Sequence, residues 1–204
     1  MKAHNVQQGS PEWKALRIGI PTASNFSKIL TPRTGKASSQ APAYMCQLIA
    51  ESLLEVPLDG DATDYMERGQ QLEAEAVRYY EMARGMDTEA VGFCTLDDGS
   101  AGCSPDRLVG SDGGLEIKCP TPGVHVQYLL GLEAVTDRYR AQVQGGLWIT
   151  GRRWWDTLSY HPEMQPALIR VERDEEFIAA LERAVRAFNV NKAAALERLR
   201  QEAA

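Results

Sequence analysis

Apolar positions recur at helical spacing over much of the chain and switch to strict alternation near its middle. Ser10-Pro11-Glu12-Trp13 reads as a helix start, with serine at the N-cap and proline in the first turn, and Gly19-Ile20-Pro21 ends that helix. Trp13 and Arg17, four apart, share one of its faces. Thr22-Ala23-Ser24 opens a second helix with Phe26, Ile29 and Leu30 as its apolar positions. A basic, Pro/Ser-rich stretch at 31–42 breaks the pattern and reads as a mobile, structureless loop. Met45, Leu48, Ile49 and Leu53 predict a helix over about 42–56, and residues 57–63 an acidic turn. Tyr65, Met66, Leu72, Ala76, Val77, Tyr80 and Ala83 form the stripe of a helix over about 64–84. Glu73 falls inside that stripe; Glu67, Arg78 and Glu81 fall outside it.

From about residue 90 the pattern becomes that of strands: one at 90–96, then a hairpin turning at Ser111-Asp112-Gly113-Gly114. Leu115, Ile117 and Cys119 face one side of the strand that follows, Glu116 and Lys118 the other. A helix over about 136–149 carries Tyr139 and Gln142 on one face. Trp154 to Tyr160 reads as a strand, and an amphipathic helix runs from Asp174 to the end. No internal repeat or linker interrupts the 204 residues, so a single domain over 1–204 is expected.

Composition narrows the class. Apolar residues at 44% and charged residues at 25% suit a soluble globular chain that needs no disulfide or structural metal for its core. There is no apolar run long enough to span a membrane and no secretory signal at the start, which predicts a cytoplasmic protein. Cys46, Cys94, Cys103 and Cys119 are too scattered for a zinc or iron–sulfur motif and are expected to be reduced thiols. Gly35-Lys36 lacks the glycine and hydroxyl residue of a P-loop, because Leu30 and Ala37 hold those positions. The net charge of −6 argues against nucleic acid until its distribution is considered. Residues 1–42 hold six Lys/Arg against one acid, and Arg138, Arg140, Arg152 and Arg153 form a second basic cluster. A locally basic surface can bind phosphates on an acidic chain, although a merely solvated face would look the same.

The chemistry concentrates in Asp106, Glu116, Lys118 and Glu73. Converging carboxylates suit a hard cation such as Mg²⁺, and a lysine two residues from a ligand can orient or deprotonate a water or neutralise charge on phosphate. An isolated E-x-K is more often the exposed face of an edge strand. The pattern is stronger here because Pro105-Asp106 precedes Glu116-Ile117-Lys118 by nine residues. A regular four-residue loop would turn Asp106 away from Glu116, so convergence requires a bulge, an odd-length loop, or Asp106 outside the ladder.

Together these residues resemble the PD-(D/E)xK nuclease superfamily, and more narrowly its lambda-type exonuclease branch, the YqaJ-like viral recombinases. The resemblance is carried by Gln8-Gly9-Ser10-Pro11-Glu12-Trp13 with Arg17 and Thr22-Ala23-Ser24, Gly69 with Glu73, Ser104-Pro105-Asp106-Arg107-Leu108, Leu115 through Pro120, Tyr139 with Gln142-Val143-Gln144, and Trp154 through Pro162. It implies an α/β fold, a central mixed β-sheet flanked by helices on both sides, with a restriction-endonuclease-like core. It implies that Asp106 and Glu116 hold Mg²⁺ with the Ile117 carbonyl, that Glu73 sits at a second ion or its waters, and that Lys118 is the catalytic lysine; Mn²⁺ can substitute. Arg17, Ser24, Ser104 and Gln142 match positions that grip a terminal 5′-phosphate, Trp13 packs near that pocket, and Tyr139 belongs to the motif of Gln142, with core packing as its own reading. Arg33 and Lys36, in the basic amino-terminal segment, would contact DNA along with the cluster at 138–153.

The implied activity is Mg²⁺-dependent 5′→3′ digestion of one strand of linear duplex DNA, leaving 3′ overhangs for a single-strand annealing protein, by a phage- or prophage-encoded homotrimer in the host cytoplasm. Two departures stand out. Arg107 occupies a position where the family often has glycine, and its side chain can alter DNA contacts. No cysteine follows Cys119, which excludes the iron–sulfur branch. The alternatives are an endonuclease or repair nuclease on the same fold, separable by closed circular DNA, and a DNA-binding module with a dead site, separable by metal calorimetry. A metal-free acid–base hydrolase has little support, because His4, His125 and His161 are scattered and no G-x-S-x-G is present.

Overall fold

A computed structural model describes residues 1–58, 64–131 and 133–202, with side chains from Leu72 onward in the third helix and from Arg138 onward in the fifth. The side-chain surroundings of Tyr65, Met66, Glu67 and Gly69, and all of turn residues 59–63, therefore lie outside what is described. In chain order the elements are β1 (Lys2–His4), α1 (Pro11–Arg17), a 3₁₀ helix (Ala23–Lys28), α2 (Ala41–Leu54), α3 (Asp64–Arg84), β2 (Thr88–Glu89), β3 (Phe93–Thr95), β4 (Gly102–Cys103), β5 (Arg107–Val109), β6 (Gly113–Lys118), α4 (Pro122–Leu130), α5 (Glu133–Thr150), β7 (Trp154–Ser159), β8 (Ala167–Glu172) and α6 (Glu175–Glu202). Among the described residues two sheets form, β1-β3-β4 and β2-β5-β6-β7-β8. In the larger, β6 and β7 run parallel and the other neighbours antiparallel. This is the mixed sheet with flanking helices that the motifs imply.

The alternating stretch is the central strand of the larger sheet, not an edge. Its Leu115 and Ile117 pack with Val109 and Leu158 beneath Ala76, Val77 and Tyr80 of α3. The opposite face meets α5 and α6 through Trp155, Val143, Leu147 and Ile178. Each such fully buried large side chain contributes about 1.5–3 kcal/mol relative to exposure. A third cluster joins the small sheet, the 3₁₀ helix and α6 through Cys94, Cys103, Phe26, Leu181 and Phe188.

The hairpin between β5 and β6 corrects the sequence reading. Arg107 pairs with Leu115, Leu108 with Gly114 and Val109 with Gly113, so the loop is Gly110-Ser111-Asp112. Gly110 takes φ +51°, the left-handed conformation suited to a three-residue hairpin. Gly113 and Gly114 are strand residues. A Cβ on either would lie 2.1 Å from the Trp154 ring or 2.3 Å from the Trp155 ring, so close packing, not turn geometry, calls for glycine there. The odd loop length supplies the irregularity that convergence of Asp106 and Glu116 requires.

Other expectations shift more modestly. Ser10 caps α1 by accepting from the Trp13 amide at 3.2 Å, as the sequence predicts. The second helix is a 3₁₀ turn. The stretch at 31–42 is organised: Thr31 N donates to Lys36 O at 2.8 Å, Ser38 N to Ile29 O at 2.9 Å, and α2 begins at Ala41. Strands β1 and β8 and helix α4 had no clear counterpart in the sequence pattern. Among the described residues no helix is long and apolar enough to cross a membrane. All four cysteines are free thiols, two of them buried.

Candidate active site

Extending the β5–β6 register by one position sets Asp106 opposite Glu116. Asp106 lies just before β5, and its Oδ2 accepts the Ile117 amide at 2.5 Å, taking the place of a backbone acceptor where the ladder ends. In an antiparallel ladder a residue sends its N–H and C=O to the same strand edge, so the Ile117 carbonyl also faces this opening. Glu116 points to the α5 side and is only 3% exposed. Lys118 Nζ and Gln142 Nε2 both donate to its Oε1, each at 2.5 Å. Lys118 Nζ also stands 4.7 Å from the centre of the Tyr139 ring, whose hydroxyl meets that of Tyr128 at 3.4 Å. Tyr139 is thus both a packing residue against Val143 and Leu147 and a platform for the lysine.

The electrostatics follow from two acids sharing one ammonium. Burial and the neighbouring Glu116 charge push the Asp106 carboxyl well above the ordinary range, against the opposing effects of Lys118 and the Ile117 amide. For Lys118, burial favours the neutral amine, but Glu116 and Asp106 outweigh it and its pKa is raised. Each carboxylate keeps one oxygen, Oδ1 or Oε2, with no protein donor recorded among the described residues. The donor set, two under-neutralised carboxylates beside a strand-end carbonyl, fits a hard divalent ion that retains waters. Among the described residues, no three His, Cys, Asp or Glu groups close into a ready metal cage.

Glu73 is half-buried on α3 and is held by Arg107, whose NH1 lies 3.3 Å from Glu73 Oε1 and 2.5 Å from the Asp106 carbonyl. Glu73 therefore neighbours the Asp106–Glu116 pair through a guanidinium. Its negative charge still contributes to raising Asp106.

The residues expected to grip phosphate divide into groups. Trp13 Nε1 donates to Ser104 Oγ at 2.9 Å and to Gly92 O at 3.0 Å. Arg17 NH1 reaches Ser104 Oγ at 3.4 Å, and its guanidinium stacks 4.0 Å from the Trp13 ring centre. A small cavity brings Arg17 beside Thr22, Asn25, Tyr44 and Glu51. Ser24 is exposed at the start of the 3₁₀ helix, its Oγ 3.2 Å from Thr22 Oγ1. Gln142 instead belongs to Glu116. Arg33 and Lys36 are exposed on the loop before α2, and Arg140 tethers that loop to α5 by donating to Pro32 O at 3.4 Å.

The cluster at 138–153 is not a continuous basic stripe. Arg140 pairs with Asp174 at 2.5 Å. Arg152 donates to the carbonyls of Val109, Gly110 and Gly113, at 2.7–3.2 Å, and clamps the hairpin loop. Arg138 and Arg153 remain on the surface. Sequence reasoning had no signal for the roles of Gly113 and Gly114 or for Arg152 as a clamp, because each depends on a partner distant in sequence.

A central mixed sheet with Asp106, Glu116 and Lys118 around one strand end places the molecule in the PD-(D/E)xK nuclease superfamily. Within it, the chain belongs to the YqaJ-like viral recombinase family, whose domain model matches residues 12–153. It is similar to the alkaline exonuclease LHK-Exo from Laribacter hongkongensis, at 33% identity over 95% of this chain and 98% of that one, with a TM-score of 0.85. The same enzyme in complex with dAMP gives a TM-score of 0.86 over the same spans. A phage-related exonuclease from Haemophilus somnus 129PT shares the fold at 16% identity, with a TM-score of 0.68 over 88% of this chain and 96% of that one. None of the curated proteins matches.

Proposed function

We propose that this protein is a Mg²⁺-dependent 5′→3′ exonuclease that removes nucleotides from one strand of linear duplex DNA and leaves a 3′ overhang. The observation that carries the reading is the buried Glu116 carboxylate on the central strand, shared with Lys118 and Gln142 and facing Asp106 across a three-residue hairpin. Similarity to an alkaline exonuclease over nearly the whole chain supports it.

When bound, divalent ions would supply Lewis-acid stabilisation of the phosphate and lower the pKa of a bound water. Asp106, Glu116 and the Ile117 carbonyl would hold them, with Glu73 at the second position, and Mn²⁺ can substitute for Mg²⁺. Gln142 fixes the Glu116 rotamer through Oε1, so the other oxygen stays available. Lys118 is a cation braced by Glu116 and Tyr139, placed to stabilise charge developing on the scissile phosphate. Arg17, with Ser104 and Trp13 around it, offers a fork for a terminal 5′-phosphate, and Ser24 lies on the adjoining turn. That grip would set strand polarity. Arg33 and Lys36 extend a basic path beside it.

The test is a 5′-phosphorylated linear duplex with Mg²⁺, beside closed circular DNA. Digestion of the linear substrate alone, lost in Glu116→Gln, is the expected result. Cleavage of the circle would make the protein an endonuclease, and full activity of Glu116→Gln would remove the assigned site. Family membership also supports a ring-shaped homotrimer, a single-strand annealing protein as partner and a phage- or prophage-encoded origin; light scattering that reports only monomer would discard the ring.

A further inference from the structure

Arg107 is the residue that the metal reading leaves unexplained. It stands next to Asp106 in sequence, yet its side chain turns to the α3 face of the sheet, as its pairing with Leu115 requires. There its NH1 bonds both the Asp106 carbonyl and the Glu73 carboxylate, 24% and 34% exposed for the two side chains of the ion pair. One guanidinium nitrogen thus ties the backbone of Asp106 to the side chain of Glu73. Around it the acids are unevenly served: Asp106 and Glu116 share Lys118, whereas Glu73 has a cation of its own.

The geometry points to Arg107 as a built-in cation that holds Glu73 until a divalent ion replaces it. This rests on the metal reading above and adds a residue that sets how tightly the second ion binds. A carboxylate cannot give full charge to an ion while a guanidinium occupies it, so the ion must displace Arg107 from Glu73. At the Asp106–Glu116 position one ammonium, Lys118, is shared by two carboxylates, so negative charge is left over for an ion without displacing it. Two unequal affinities follow, the weaker at Glu73, and the released guanidinium becomes free to meet a DNA phosphate. Without a divalent ion, the same contact keeps Glu73 from adding full repulsion to an already crowded Asp106.

Isothermal titration of Mn²⁺ into the full-length protein tests this, with melting temperature measured in EDTA and in Mn²⁺. Wild type is expected to show a tight and a weak site. Arg107→Ala should tighten the weak site about two- to fivefold, the scale of one partly exposed ion pair. The same variant should melt lower in EDTA and gain more from Mn²⁺ than wild type does. Arg107→Lys, which keeps the charge, should stay close to wild type. In a Glu73→Gln background the weak site should be gone and Arg107→Ala should change nothing. Unchanged or weaker Mn²⁺ affinity in Arg107→Ala, with wild type binding normally, overturns the competition and leaves Arg107 as a structural tie. Absence of Mn²⁺ binding in wild type overturns the metal reading itself and this inference with it. Should Arg107→Ala fold poorly, Arg107→Gln preserves size and hydrogen bonding, and the same two results decide.

Discussion

Two buried acids lie on adjacent strands of the large sheet and face opposite sides of it. Asp156, on β7, is completely buried and is surrounded by cations: Arg170 grips both oxygens at 2.8 and 2.9 Å, Arg84 approaches to 3.6 Å, and the Tyr80 hydroxyl donates at 2.8 Å. Glu116, on β6, is nearly as buried but shares a single ammonium with Asp106. The first arrangement has more positive than negative charge and a donor on each oxygen. The second is short of positive charge and, among the described residues, keeps a carboxylate oxygen without a donor on each acid. Burial alone therefore does not mark a functional acid; the mismatch between an acid and its fixed partners does.

The largest effect that can break this contrast is on activity. Glu116→Gln is expected to lower digestion of a 5′-phosphorylated duplex by about a thousandfold or more while the protein still melts cooperatively. Asp156→Asn should do the reverse: unfolding by denaturant should show a loss of about 1–3 kcal/mol, because charge-assisted bonds to Arg170 and Tyr80 are weakened while the arginines stay partly solvated, and the folded fraction stays active. If both substitutions cost mainly stability, the two acids are alike and the active-site assignment fails.

Lys118→Ala should follow, with the rate at saturating DNA lowered by about a hundredfold or more and DNA binding by gel shift little changed. A loss confined to binding would make Lys118 a docking cation.

A pH dependence sharpens the comparison further. Asp106 has its folded-state pKa raised by burial and by Glu116. A carboxyl raised in this way binds its proton more tightly folded than unfolded. In EDTA, its contribution is present below the ordinary aspartate value of about 3.9 and is lost as pH rises through the raised folded value. Stability in EDTA should therefore fall with rising pH across that window, recover on adding Mg²⁺, and lose both responses in Asp106→Asn. A flat profile in wild type would show that the acids are already neutralised.

The smallest effect is expected at Ser104. Ser104→Ala removes the hydroxyl shared by Trp13 and Arg17, while Trp13 keeps the Gly92 carbonyl. The preference for 5′-phosphorylated over 5′-hydroxyl ends should drop several-fold, on the scale of one hydrogen bond of about 1 kcal/mol. Competition between the two ends in one reaction measures it, and an unchanged preference would move the phosphate grip elsewhere.

Much of the fold was readable where a local rule governed it. Ser10-Pro11 started α1, Leu115 through Cys119 announced a strand, and Phe177, Leu181, Val185 and Phe188 formed the stripe of α6. Apart from β8 and α4, what escaped was short or non-local. β1 and β4 have three and two residues, too few for a period to register. The glycines after Asp112 read as turn residues because the Trp154 and Trp155 rings that demand them lie forty residues on. The second arginine cluster read as a phosphate path, but Arg140 and Arg152 are committed to Asp174 and to hairpin carbonyls.

By itself, the sequence determined which residue types could form the site and which of them shared a strand face, since alternation follows from backbone geometry alone. Only the tertiary structure decided that β6 lies inside the sheet, which buries Glu116, and that Gln142 and Tyr139 meet Glu116 and Lys118. It also decided that a three-residue loop carries Asp106 to the same side, and that Glu73 is held by Arg107. The physical reason is that periodicity fixes the relative direction of neighbours, whereas burial and charge balance depend on segments brought together from across the chain.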